Sequence, residues 1–522
     1  MDNMNGITVT TKSGMVRGIR EDGYLCYKGV PYGRAERFKA PTYASWDGVL
    51  DCSSFGKKAI QVYDRPMPWL PKLPERDEFD EDCLNMNIYV PEDVISEKSE
   101  TKGLVLKGLP VLVEIHGGAF QDGSNQSHSP RQMIRDHQFI YIAINYRLGA
   151  LGFMPLEGLL GEAWAGSGNC GLLDQMLALK WIYENVGAFG GDPEKITLMG
   201  SSAGAKSIGA LMLLKEMNIY VNQIILSSGA TQSVRSLETG TKTTQAFLKT
   251  AKTVLGRLVT AAELPELPVD EIIRIQKVFT DRPGNTCMFG PVADGVVLPV
   301  EWEPLAEAGT LWFGNAMIGS SRNELCFMGM MNPHLYEVAG TNAEGLFGAN
   351  APLAMAAFDA FMDRETLKTG HEPSEEAMNK EWVRIFTDYM YRMYSYRLAQ
   401  RLSHKGCHVW QYSVELLPAA HCFDQMLAFE GAPDMFFDGE ESLEAARKTG
   451  RSIYDAFAWF IEHGTLYDGV PEHCTDMPEY LKEWMPLSEG NHCQMAWNVE
   501  SGVVEVPEND VLEGFPEGVY RL

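Results

Sequence analysis

One short segment of this 522-residue chain constrains the fold more than any other, the five residues from Gly200 to Gly204 that read Gly-Ser-Ser-Ala-Gly. The residues before it, Lys195 to Met199, form an apolar-rich run typical of a strand. The residues after it carry apolar side chains at helical spacing: Ala205, Ile208, Leu211 and Met212. A turn that joins a strand directly to a helix is so tight that its flanking residues must be small, and the two glycines stand there. The pattern therefore predicts a strand–turn–helix unit with Ser202 at its tip.

A serine at the tip of such a turn is presented as a nucleophile in the α/β-hydrolase fold. The same five letters also occur as an ordinary glycine-rich turn. We therefore interpret Ser202, rather than Ser201, as the nucleophile only because a strand and a helix flank it.

The rest of the chain predicts an α/β-hydrolase fold, with a mostly parallel central sheet and helices on both faces. Strands are expected at Leu109 to Ile115, Phe139 to Tyr146, Ile196 to Met199, Gln223 to Leu226, Asn315 to Gly319 and Cys407 to Val414. A helix is expected from Leu172 to Asn185, and the last element is predicted to be a helix from Ser452 to His463. Two further helical blocks, about 235–277 and 351–402, are interpreted as cap insertions over the sheet. We expect residues 1–522 to form a single domain.

Composition excludes several classes of function. The net charge of −26 disfavours nucleic acid and anionic membranes as partners. No apolar run approaches the ~18 residues of a membrane helix, and the polar N-terminus shows no export signal. The ten cysteines contain no C-x-x-C pair, so we expect reduced thiols and a cytoplasmic location. The oligomeric state is not predicted.

A serine nucleophile needs a base and a group that orients the base, and in this fold the order along the chain is serine, acid, histidine. Glu324 is the preferred acid because it lies in the loop just past the strand that ends at Gly319. Asp294 is the competitor, but it belongs to an Asp-Gly pair, which is typical of a turn.

His421 is the preferred base, because it lies in a loop beyond the strand that ends at Val414. His408 is predicted to lie inside that strand as a structural residue. The spacing of His404, Cys407 and His408 could suggest a metal site, but a fourth ligand is missing from the pattern and no metal is expected.

The developing oxyanion needs preorganised donors. A His-Gly-Gly run, His116 to Gly118, follows the strand that ends at Ile115. Its glycines allow the N–H groups of Gly117 and Gly118 to face a ligand, and the N–H of Ala203 would supply a third donor. A simple glycine turn remains the alternative for this run.

Taken together, these residues resemble the type-B carboxylesterase family, and in character most closely the bacterial p-nitrobenzyl esterases. The matching segments are Glu81 to Pro91 (EDCLxLNxYxP), Gly168 to Leu179 (GNxGLxDQxxAL), Phe189 to Pro193 (FGGDP) and Pro291 to Pro299 (PVxDGxxLP). The resemblance places the family's acid on Glu324, its base on His421 and its oxyanion donors on Gly117, Gly118 and Ala203. It implies a serine esterase without a cofactor that acts on small to medium neutral esters.

Some positions depart from the family pattern. Ser201 stands where a glutamate is common, which weakens a choline-ester interpretation. Alanine replaces the usual partner of Cys83, so this cysteine is expected to be free. Arg235 is expected at the surface, although it could receive an acidic acyl group, and Trp69 is not assigned to a cation site. An amidase, a lipase or a xenobiotic-specific hydrolase on the same triad remain alternatives, as does a non-catalytic binding protein of this fold.

Overall fold

An eleven-stranded sheet forms the frame of the molecule, in a computed structural model that describes residues 7–21, 23–64, 73–92, 108–281, 288–326, 343, 351–429, 436–466 and 477–506. Numbered along the chain, its strands are β1 Ile19–Glu21, β2 Tyr24–Pro31, β3 Asn85–Pro91, β4 Leu109–Ile115, β5 Ile140–Ile144, β6 Gly191–Ser201, β7 Gln223–Ser227, β8 Asn315–Ser321, β9 Val409–Val414, β10 Cys493–Trp497 and β11 Gly502–Glu505.

The spatial order of the strands is β11-β10-β9-β8-β7-β6-β4-β5-β3-β2-β1. All pairings from β5 across to β10 are parallel. The outer pairings, of β5 with β3, of β3 with β2, of β2 with β1 and of β10 with β11, are antiparallel. The carboxyl ends of the parallel strands therefore lie at one edge of the sheet, where open α/β sheets bind ligands.

Helices connect and cover these strands. In chain order they are α1 Arg131–Asp136, α2 Gly149–Phe153, α3 Glu157–Leu160, α4 Cys170–Asn185, α5 Ala203–Leu211, α6 Met217–Tyr220, α7 Leu237–Leu255, α8 Val269–Thr280, α9 Glu303–Glu307, α10 Ala351–Thr369, α11 Glu375–Thr387, α12 Met393–His404, α13 Phe423–Ala428, α14 Glu440–His463 and α15 Glu479–Lys482. A π-helical turn, Asp388–Arg392, joins α11 to α12.

Short strands outside the large sheet occur in the N-terminal part of the chain and in one later loop region. Thr8–Thr10, Met15–Arg17 and Val49–Asp51 form one small sheet. Three further two-stranded pairings occur: Gly33–Arg34 with Thr42–Tyr43, Lys58–Ala59 with Phe79–Asp80, and Arg235–Ser236 with Val292–Ala293.

The central strands are buried because helices cover both faces of the sheet, as parallel sheets require. On β4, Val111, Val113 and Ile115 face one apolar cluster, whereas Leu112 packs into a second cluster on the opposite face. Glu114, which shares the second face with Leu112, is buried there as well. This strand is apolar apart from that one carboxylate.

Two elements differ from the sequence-based predictions. The expected helix from Ser452 to His463 is the second half of the longer α14, and it is not the last element, because β10 and β11 follow it and extend the sheet. His408 lies outside β9, one residue before the strand begins, and is exposed. The chain enters β9 from the turn that follows α12, so the strand begins at Val409, two residues after its predicted start at Cys407.

The eight cysteines within the described residues, Cys83 among them, are free thiols. Within the described ranges, no helix combines the length and the apolar character needed to cross a membrane.

Candidate active site

Ser202 occupies a strained turn between β6 and α5. Its backbone has φ +51° and ψ −116°, a region that L-residues rarely adopt and that is retained mostly where function requires it. Its N–H donates to the carbonyl O of Ser227 at 2.9 Å. A Cβ on Gly200 would lie 2.5 Å from the backbone C of Gly204, and one on Gly204 would overlap the carbonyl O of Ile115. Both flanking positions therefore accept only glycine, as the sequence pattern predicts.

Glu324 and His421 meet at the carboxyl ends of β8 and β9. The Nδ1 of His421 lies 2.5 Å from Oε2 of Glu324, which is fully buried. The other carboxylate oxygen of Glu324 accepts from the Ser228 hydroxyl and from the Ser321 N–H, each at 2.7 Å. The carboxylate is thus fixed by three donors, and through Nδ1 it sets the orientation of the imidazole.

Ser228 is a residue that the sequence analysis did not assign. Its hydroxyl donates to Glu324 and accepts from the N–H of Cys422 at 3.3 Å. It therefore joins the acid to the loop of the base. The Ser-Ser-Gly end of β7 was visible in the sequence, but only the fold places it between two loops that are 96 and 194 residues further along the chain.

Cys422, which follows His421, is a buried thiol next to Ser201 in the nucleophile turn. Burial, together with the nearby carboxylates of Glu324 and Asp424, raises the pKa of the Cys422 thiol well above its usual range. The thiol is therefore protonated at neutral pH and does not compete with Ser202 as a nucleophile.

The His-Gly-Gly loop passes directly beside the serine. A Cβ on Gly117 would lie 2.9 Å from the carbonyl O of Ser201 and 3.3 Å from the Cβ of Ser202. Gly118 has φ +104°, and the carbonyl O of Gly118 accepts from the N–H groups of Gln121 and Asp122 at 2.8 and 3.0 Å. Ala203 opens α5, so its N–H has no acceptor within the helix. The backbone of Gly117 and Gly118, which follow β4, therefore lies next to the nucleophile turn that Ala203 continues into α5.

His116 packs against this loop and is not a second base. Burial lowers the pKa of His116 to about 4, so the ring is neutral at physiological pH. It stacks on Tyr146 with ring centroids 4.5 Å apart, and its Nδ1 lies 2.8 Å from the carbonyl O of Gly117.

Asp294, the competing acid, is a turn residue, as its sequence context predicts. One carboxylate oxygen accepts from the N–H groups of Val296, Val297 and Leu298, and the other accepts from the Asn169 amide at 2.8 Å. The Asp294 carboxylate therefore stabilises this turn and its contact with Asn169.

The sequence analysis named three further candidates: the set His404, Cys407 and His408, and the single residues Arg235 and Trp69. His404, Cys407 and His408 do not assemble, and no group of three or more potential metal ligands is found among the residues that the structure describes. Arg235 is half-buried rather than exposed: its Nη1 lies 2.8 Å from where a Cβ on Gly290 would stand, close to the Phe120 ring. Trp69 lies outside the described residues.

A second histidine–glutamate pair was missed by sequence reasoning. Glu114 in β4 pairs with Nδ1 of His128 and accepts from the hydroxyl of Tyr141. The His128 ring stacks on Phe429 at 4.7 Å with an interplanar angle of 17°. Burial alone would lower the pKa of His128 and raise that of Glu114, but their mutual attraction prevails, so the pKa of His128 is raised and that of Glu114 is lowered.

Asp424 is a further enclosed carboxylate next to the histidine loop. It accepts from the Ser227 hydroxyl at 2.6 Å and from the Tyr412 hydroxyl at 2.5 Å. Burial raises the pKa of Asp424 above its ordinary value despite these two donors.

The cluster contains what nucleophilic acyl transfer requires: a serine on a strained turn, an imidazole held by a buried carboxylate, and backbone N–H groups beside the serine. On this mixed sheet, that arrangement defines an α/β-hydrolase.

Comparisons with known proteins give the family. The model of the carboxylesterase family matches residues 5–506, and the chain belongs to that family. It is 31% identical to para-nitrobenzyl esterase of Bacillus subtilis (strain 168) over 482 residues, which cover 87% of this chain and 90% of that protein. Acetylcholinesterase of Danio rerio is 28% identical over 344 residues, which cover 61% of this chain and 51% of that protein.

Solved structures of esterases superpose on this chain and support the same family. The carboxylesterase EST55 of Geobacillus stearothermophilus superposes with a TM-score of 0.77 at 27% identity, covering 96% of this chain and 98% of that one. A PNB esterase superposes with a TM-score of 0.76 at 26% identity, covering 98% and 99%. The predicted fold and family are confirmed, and the protein is a carboxylic ester hydrolase.

Proposed function

We propose that Ser202, His421 and Glu324 form the catalytic triad of this esterase. The observation that carries the assignment is the contact between Nδ1 of His421 and Oε2 of Glu324, 2.5 Å long. The next residue along the chain, Cys422, donates its N–H to Ser228, and the neighbouring Ser227 accepts from the N–H of Ser202, so the histidine loop and the nucleophile turn meet at the end of β7. Nδ1 donates to the carboxylate, which leaves Nε2 as the basic nitrogen.

In the proposed reaction, the Ser202 hydroxyl attacks the ester carbonyl while His421 takes its proton. The tetrahedral oxyanion is received by the N–H groups of Gly117, Gly118 and Ala203, which are preorganised by the turn and by the helix N-terminus. His421 then protonates the leaving alcohol, and the acyl group remains on Ser202. Water, activated by the same imidazole, releases the acid. Glu324 keeps the imidazole oriented and stabilises its protonated form.

Two neighbouring serines provide a matched test. With p-nitrophenyl butyrate as substrate, Ser202→Ala should lower kcat by a factor on the order of 10⁶. Ser201→Ala removes a serine hydroxyl one residue earlier and should retain most of the activity. If Ser201→Ala loses esterase activity and Ser202→Ala keeps it, the nucleophile is misassigned. A folded wild-type protein without activity would favour a binding role.

The proposed substrates are small to medium neutral esters, including p-nitrobenzyl esters, since a para-nitrobenzyl esterase is among the relatives. Choline esters are not proposed, because Ser201 places no carboxylate beside the nucleophile. Acyl-chain preference tests this proposal: a short-chain optimum supports it, a long-chain optimum indicates a lipase, and faster turnover of an anilide than of its matched ester indicates an amidase.

We also propose a cytoplasmic location, supported by the cysteines. Cys26, Cys52 and Cys83 are buried free thiols whose pKa values burial raises, that of Cys26 to about 12. Subcellular fractionation tests this location.

A further inference from the structure

Ser227, the last residue of β7, joins the nucleophile turn to a buried carboxylate outside the proposed triad. Its carbonyl O accepts from the N–H of Ser202 at 2.9 Å, and its hydroxyl donates to Oδ1 of Asp424 at 2.6 Å. Ser227 is itself fully buried and lies opposite Ser201 in the parallel pairing of β6 with β7. A shift of the Ser227 side chain therefore moves the peptide group that holds the nucleophile turn.

Asp424 lies at the other end of this contact, in the first turn of α13. It follows His421 by three residues and is only 1% exposed. Its Oδ2 accepts from the hydroxyl of Tyr412, a residue of β9, at 2.5 Å. The carboxylate therefore bridges β7 and β9, the strand that precedes the histidine loop, and it fixes the start of α13 relative to the end of β7.

A carboxylate at this position is poorly suited to stability alone. Burial raises the pKa of Asp424, and the charge of Glu324 adds to that rise. The two hydroxyl donors lower this pKa, but they offset only part of the effect of burial. An apolar side chain of similar volume would avoid the free energy of burying an acid. The contacts of Asp424, rather than its contribution to the core, therefore explain its presence.

The neighbouring Ser228 does not duplicate the contact between Ser227 and Asp424. The Ser228 hydroxyl donates to Glu324 and accepts from the N–H of Cys422, so it joins the acid to the histidine loop. Neither of these two bonds involves the nucleophile turn. The bond from Ser227 to Asp424 instead connects the residue that holds Ser202 to the segment that follows the proposed base.

We propose that Asp424 is a positioning residue, which acts through the Ser227 hydroxyl to hold the Ser202 turn at the correct distance from the histidine loop. The inference rests on the proposed function, since it concerns the same serine and the same base. Proton transfer requires the serine hydroxyl and the imidazole to lie within hydrogen-bond reach. A displacement of about 1 Å can lower the rate by about 10²-fold. Asp424 itself takes no proton in the proposed reaction.

Two hydroxyls that donate to the same carboxylate provide a matched test. Ser227→Ala removes the donor that leads to Ser202, and Tyr412→Phe removes the donor on β9. Asp424→Leu removes both acceptor oxygens, whereas Asp424→Asn keeps an amide oxygen that can accept from Ser227. The quantities measured are kcat and KM for p-nitrophenyl butyrate, per folded molecule, and the midpoint of urea unfolding.

Ser227→Ala and Asp424→Leu should each lower kcat by about ten- to hundredfold and change KM by less than about threefold, because the turn is displaced while the substrate site remains. The double variant should lose no more than the more affected single variant, since residues that act as one unit are not additive. Asp424→Asn should recover most of kcat. Tyr412→Phe should keep the wild-type kcat, although its urea midpoint falls because a buried hydrogen bond is lost.

Several outcomes would overturn the proposal. If Ser227→Ala keeps the wild-type kcat, its hydroxyl does not position the nucleophile turn. If Ser227→Ala and Tyr412→Phe lower kcat equally, Asp424 stabilises the surrounding core in general. Additive losses in the double variant would mean that Ser227 and Asp424 act independently. An Asp424→Asn variant as slow as Asp424→Leu would assign the effect to charge rather than to the hydrogen bond.

Should Asp424→Leu fail to fold, the comparison of Ser227→Ala with Tyr412→Phe decides, because each variant lacks a single hydroxyl. A loss of kcat confined to Ser227→Ala supports the proposal, and equal kcat values in the two variants refute it. An inactive wild type, or a fully active Ser202→Ala variant, would instead refute the proposed function.

Discussion

Two histidine–glutamate pairs with the same atomic contact lie in different settings. His421 meets Glu324 and His128 meets Glu114, in both cases through Nδ1 of the ring. Exposure does not separate them, because 13% of the His421 side chain and 21% of the His128 side chain are accessible. What differs is the position of the carboxylate relative to the sheet.

Glu324 lies three residues beyond the end of β8, whereas Glu114 lies within β4. A carboxylate past a strand end stands at the edge of the sheet, beside the Ser202 turn. A carboxylate inside a strand points at a face that helices cover, and there it is enclosed by Tyr141 and by a histidine stacked on Phe429. A histidine–carboxylate pair therefore indicates catalysis only where the topology brings a nucleophile to it.

The largest expected difference between the pairs is in activity. His421→Ala should lower kcat on p-nitrophenyl butyrate by about 10⁴- to 10⁶-fold, because the variant lacks the base proposed for Ser202. His128→Ala, assayed on the folded fraction, should lower kcat by less than tenfold. Equal losses in the two variants would break the distinction between a catalytic and a structural pair, and would place His128 in the reaction.

The second difference is in stability. His128→Ala leaves Glu114 without its cationic partner, and breaking a buried ion pair from one side costs about 3–5 kcal/mol. We expect the lower end of that range, since His128 keeps a fifth of its side chain accessible. The midpoint of urea unfolding measures this loss.

Replacing both partners controls for the packing of this region. The double variant Glu114→Leu/His128→Leu should recover much of the stability, because apolar side chains remove the unpaired charge. If His128→Ala is as stable as the wild type, the pair is energetically neutral. If the double variant has a lower free energy of unfolding than His128→Ala, the pair contributes net stability.

The sequence could single out the residues of the candidate active site because each of them lies where a strong local pattern ends. β4 spans the predicted residues, Leu109–Ile115, because a short run that is apolar apart from Glu114 is typical of a strand covered on both faces. The turn at Ser202 is dictated by two glycines that no other residue can replace. Glu324 and His421 follow strands, so the order of the chain was enough to choose them.

The parts that the sequence did not predict depend on pairing between distant segments. The strands β10 and β11 are short and carry polar residues, and they are defined by their places at the sheet edge rather than by their own composition. The partners of Ser228 and Glu114 come from other loops and strands. Neither residue belongs to a motif, so only the fold reveals them.

The smallest expected effect is the dependence of stability on pH, and it tests whether the pKa values of Glu114 and His128 change when the protein folds. Because the pKa of His128 is raised above its ordinary value of 6.5, its contribution is fully present below pH 6.5 and is lost as the pH rises through the pKa of the folded state. Because the pKa of Glu114 is lowered from 4.5, its contribution is present above pH 4.5 and is lost as the pH falls through its folded-state pKa.

The stability difference between the wild type and the double leucine variant should therefore be greatest between pH 4.5 and 6.5 and should shrink on both sides. Urea unfolding of the two proteins across pH 4 to 9 measures this difference, and because other titrating groups are common to both, they cancel. A difference that stays constant across that range would mean that the pKa values of Glu114 and His128 do not change on folding, contrary to the shifts expected from their mutual attraction.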